Sequence, residues 1–95
     1  MLCARATLTA GDKQRRYPAG TRVRAVVFAK VESPEQLQAT TFRSVAKRGW
    51  SQMTIDGSTI LADDHVFPNY HSEEAVAFRG ALDTGLSIVV LGLVQ

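Results

Sequence analysis

Apolar and polar residues alternate with a period of two through LCARATLT (2–9), and VRAVVFAKV (23–31) places Val23, Ala25, Val27, Ala29 and Val31 on one face. Both runs predict strands. The period then lengthens in VESPEQLQATTFRSVAKRGW (31–50), where Leu37, Ala39, Thr41, Phe42, Val45 and Ala46 share one broad arc of a helical wheel. Ser33 suits the cap, Pro34 the first helical position, and Gln36 can return a hydrogen bond to the start of the helix. Lys47 and Arg48 complement the negative end, and Gly49 supplies a left-handed stop.

WSQMTIDGSTILA (50–62) carries Asp56-Gly57 between two short runs, which predicts a hairpin of two strands. A second helix follows, capped by Ser72, with Glu73 and Glu74 in its first turn, Ala75, Phe78, Ala81 and Leu82 on its buried side, and Gly85 as its stop. LSIVVLGLV (86–94) closes the pattern as an apolar strand. From residue 23 the order is strand, helix, strand, strand, helix, strand. The expected fold class is therefore α+β: a ferredoxin-like βαββαβ antiparallel sheet with two helices on one face, plus an extra N-terminal strand. Residues 1–95 form one domain in this reading, with a strand and basic loop over 2–22 and the ferredoxin-like core over 23–95.

That layout leaves apolar residues pointing away from the helices. Val26 and Phe28 sit opposite the Val23–Val31 stripe, and the last strand has Leu86, Ile88, Val90 and Val94 on one face and Val89, Leu91 and Leu93 on the other. Exposing such side chains forfeits roughly 1.5–3 kcal/mol each, so a covering element, a second copy or a partner is expected there.

Net charge is only +2, yet residues 1–50 carry ten Lys/Arg against three Asp/Glu, while residues 51–95 carry one against six. An uneven division of this kind makes an electrostatically two-sided molecule if the halves stay apart in space, and vanishes if the fold interleaves them. One cysteine, Cys3, excludes an internal disulfide, and with two histidines it is too few for a structural zinc module. No apolar run approaches the roughly 20 residues of a membrane helix, so a soluble, cytoplasmic protein with no membrane contact is expected.

Candidate chemistry concentrates in LADDHVFPNYHSEE (61–74), which holds both histidines. The acids there have loop and helix-capping roles, and His65 and His71 are too loosely spaced to define a ligand geometry. Phosphate loops, nucleophile elbows and dinucleotide fingerprints are absent from the sequence. No cofactor, metal or catalytic residue is assigned on this basis.

The reading favoured is a small non-enzymatic protein-binding module, in the manner of an inhibitor, immunity or regulatory protein that occludes its partner. Its expected contact residues are Arg15, Arg16, Tyr17, Arg24, Phe28, Val89 and Leu91, and a homodimer through the sheet is one form such binding takes. Two alternatives stand behind it. One is a dimeric α/β-barrel enzyme, its pocket on the sheet face and His65 or His71 as acid–base group. The other is a nucleic-acid-binding protein using the basic first half, a reading weakened by the missing glycine-aromatic signature of RNA-binding sheets.

Overall fold

The computed structural model describes residues 1–94. Four strands, β1 (Leu2–Ala10), β2 (Arg22–Ala29), β3 (Trp50–Ile60) and β4 (Leu86–Leu93), form one antiparallel sheet in the order β3-β1-β2-β4. Helical segment α1 follows β2, with α-helical pieces Pro34–Gln36 and Phe42–Lys47 on either side of a π turn, Leu37–Thr41. Helix α2 spans Glu73–Thr84. The α+β class and the antiparallel sheet agree with the sequence pattern, but the element order is ββαβαβ and the strand order is not that of the ferredoxin-like fold.

Three expectations are corrected. The N-terminal strand is no appendage, because β1 pairs with both β2 and β3 and forms an inner strand of the sheet. Asp56-Gly57 makes no hairpin: β3 runs straight through it, with the pairing slipping by one residue between Arg5 and Ala6 of β1. This is a bulge rather than a turn. Finally, the helices lie on opposite faces. Leu2, Ala4, Ala6, Leu8 and Ala10 of β1 and Val23, Ala25, Val27 and Ala29 of β2 pack with Leu37 and Val45 of α1. Their neighbours of opposite parity, Cys3, Val26 and Phe28, pack with Phe78 and Ala81 of α2.

This division answers much of the excess of apolar residues, although Leu91 and Leu93 of β4 stay exposed. With one helix per face, both sides of β2 find cover, and Val27, Phe28 and Ala29 are all buried in succession. The α2 face is covered only in part, and its open portion carries exposed Arg5, Arg22 and Arg24 together with Leu91, which is 55% exposed.

Local signals explain the helix ends. Ser33 Oγ accepts the N–H of Gln36, while Gln36 Oε1 accepts the N–H of Glu32, a reciprocal cap shifted by one residue. Within α1, Thr40 Oγ1 donates to Gln36 O and Thr41 Oγ1 to Leu37 O. Such side-chain competition for helix carbonyls accompanies the widened π turn. Ser72 Oγ caps α2 by accepting from Ala75 N–H, and Gly85 ends it at φ 92°.

Gly49 has a φ of +94°, and a Cβ there would lie 2.6 Å from Gln14 Cα and 2.7 Å from Gln14 N. Its carbonyl also accepts the Gly11 N–H at 2.8 Å, and Gln14 Nε2 donates to Arg48 O at 3.0 Å, so the basic loop is pinned to the end of α1. Gly49→Ala is expected to cost more than about 1 kcal/mol, because the left-handed backbone and a backbone clash oppose it together. A thermal melt should fall by at least about 4–8 °C. An unchanged midpoint would show that the loop does not sit against this turn.

Candidate partner-binding edge

β4 is an outer strand of the sheet, and its register decides which main-chain groups are free. Lys30 N–H donates to Gly85 O at 3.0 Å, and the pairs Phe28↔Ser87 and Val26↔Val89 continue that register. In an antiparallel ladder alternate residues exchange both bonds with the partner strand, so Leu86, Ile88 and Val90 direct their N–H and C=O groups away from β2. The Leu86 carbonyl is met by Thr84 Oγ1 at 3.1 Å and, more distantly, by Arg48 Nη2 at 3.5 Å. Side-chain bonds to the main chain of Ile88 and Val90 are absent among the described residues.

The opposite edge differs. β3 bears Ser51, Gln52, Thr54, Asp56, Ser58 and Thr59, its pairing with β1 is twice irregular, and its Met53 carbonyl is capped by Gln38 Nε2 at 2.9 Å. Polar residues and bulges are the usual means by which edge strands avoid unwanted pairing. β4 has neither charge nor proline, and it is apolar at every position except Ser87 and Gly92. Its one irregularity, between Arg24 and Ala25 of β2, lies beyond Val90.

A groove of about 820 Å³ follows this edge. Arg16, Tyr17 and Arg48 form one wall, Val76, Ala77 and Gly80 of α2 the other, and Ile88 and Val90 lie between them. His71 and Glu73 stand at the start of the α2 wall. Tyr17 is held by Trp50, their ring centroids 6.0 Å apart. Neither Arg16 nor Arg48 has a carboxylate partner, since the ion pair found among the described residues joins the Met1 ammonium to Asp63 at 3.6 Å.

The residues expected to meet a partner are therefore divided. Arg16 and Tyr17 line the edge groove, with Val89 as part of its buried floor, while Arg15 is exposed on the same loop. Arg24 and Leu91 lie elsewhere, beside a separate hollow of about 420 Å³ with Arg5, Thr7 and Asp56 on the open α2 face. Phe28 is unavailable: it is 1% exposed and packed edge-on against Phe67 and Phe78. Arg48, Ile88 and Val90 were not singled out from the sequence. The uninterrupted apolar run of β4 was a signal for the last two, but its edge position depends on strand order, which no local pattern encodes.

The histidine segment behaves as a covering loop. The His65 ring lies edge-on to Phe67 at 4.8 Å, and Leu61 and Phe67 pack onto the Phe28 cluster. His71 instead neighbours Tyr70, over which Arg79 stacks at 3.7 Å. Among the described residues no three His, Cys, Asp or Glu side chains gather closely enough to hold a metal ion, and no helix is long and apolar enough to cross a membrane. Cys3 is half-buried beside the same cluster, and burial pushes its thiol above the ordinary range. Alkylation by iodoacetamide near neutral pH is expected to be slower in the native protein than in urea, because less thiolate forms and access is restricted. Equal rates would place Cys3 in open solvent.

Protein-family models, curated proteins and solved structures offer no match to this chain.

Proposed function

We propose that this chain is a small non-enzymatic protein-binding module that receives an extended segment of a partner as an added strand on β4. The reading is carried by one observation: β4 is an apolar, uncharged edge whose outward Ile88 and Val90 main-chain groups have no partner among the described residues, beside an open groove of about 820 Å³. Strand addition satisfies such groups directly, and side-chain pockets on either side provide selectivity. A segment held in this way is withheld from its other contacts, which is how a regulator or inhibitor acts by occlusion.

The α/β-barrel alternative, with its pocket on an open sheet face, is less well supported: a helix packs on each face, and the uncovered part of the α2 face presents Arg5, Arg22 and Arg24 beside Leu91. The test is quantitative capture from native extract after nuclease treatment, comparing wild type with Ile88→Pro. A protein retained by the wild type and lost by the variant fits strand addition. Equal retention by both, or capture that disappears with nuclease, overturns it.

A further inference from the structure

The walls of the edge groove differ in charge, and on the strand-addition reading this specifies the segment that fits. Side chains of an added strand alternate between the two faces of the sheet. On the α1 face they meet Arg16, Arg48 and the Tyr17 ring; on the α2 face they meet Val76, Ala77 and Gly80, with Glu73 at the margin. We infer that the occupant is an extended protein segment of alternating chemistry, with carboxylates directed at Arg16 and Arg48 and small apolar residues directed at α2.

Charge also argues against a second copy of this chain. Pairing β4 with its own twofold mate keeps like faces together, so Arg16 and Arg48 of both copies flank the same seam, as do both Glu73 side chains. Like charges gathered along one seam in this way disfavour association. The apolar run of β4 supplies no carboxylate to relieve them. An acidic segment brings the complement instead.

The inference can be tested with immobilised short peptides, about the length of β4, that alternate valine or threonine with glutamate, glutamine or lysine. Wild-type protein is expected to bind the glutamate series about five- to tenfold more tightly than the glutamine series, with the difference shrinking in high salt. The double variant Arg16→Glu, Arg48→Glu should prefer the lysine series. Circular dichroism and a thermal melt would establish that it is folded, and the milder pair Arg16→Gln, Arg48→Gln should simply lose the preference. Equal binding of glutamate and glutamine peptides overturns the acidic assignment while leaving strand addition standing. Failure of every peptide series to bind either protein counts against both. A wild-type dimer in sedimentation that Ile88→Pro disperses would assign the edge to a second copy and overturn the inference.

Discussion

Truncating Phe28 to alanine is expected to destabilise the fold by about 3–5 kcal/mol, the range for removing a fully buried aromatic side chain. The ring is 1% exposed and meets Phe78 at 5.8 Å and Phe67 at 6.3 Å, both nearly perpendicular. Two effects add: lost transfer free energy together with the cavity it leaves, and loss of two edge-to-face contacts. A domain of this size has a total stability on the order of 5–15 kcal/mol, so a large fraction of it is at stake. Urea titration monitored by circular dichroism measures the change, with Phe28→Leu as a milder comparison. A loss below about 1 kcal/mol would return Phe28 to the surface, as a partner contact rather than a core residue.

Ile88→Pro is expected to reduce partner binding about 30- to 100-fold while preserving the fold, at a cost in stability of about 1–3 kcal/mol. The asymmetry follows from direction. The Ile88 N–H points away from β2, so proline removes no bond within the sheet, and edge strands tolerate proline on that side. An incoming strand loses a donor and meets the pyrrolidine ring. Ile88→Val is the control, because it keeps the N–H and the strand preference. Binding measured on the captured partner by calorimetry or surface resonance should separate the two. Comparable affinity for both variants would mean that the partner does not extend the sheet.

Features set by neighbouring residues were legible in the sequence. Ser33, Gly49, Ser72 and Gly85 mark helix ends through local backbone geometry, and they do so in the structure. The alternation of β2 also placed Phe28 opposite the Val23–Val27 stripe. What lay over Phe28 was not legible, because it depends on α2 and the 61–72 loop returning across the sheet. Asp56-Gly57 failed for a related reason. The φ of Gly57 is not in the left-handed region that a two-residue turn needs, and the residue pairs instead with Arg5, some fifty positions away in the chain. The candidate edge was half legible: the apolar composition of β4 was plain, but Arg48 came to it only through the path of α1.

The strand order also predicts a sequence of events during synthesis. β1 and β2 adjoin in the chain and in the sheet, so their hairpin closes a short loop and forms early, whereas β3 and β4 must each return over a helix to opposite sides of it. The sheet grows outward from its middle. Until β4 is made, the apolar flank of β2 is itself an open edge, and intermediates with unpaired edges are prone to aggregate. Refolding yield should consequently be limited by the docking of the last strand and its preceding helix, and the nascent protein is most exposed to misassociation in the interval between β2 and β4.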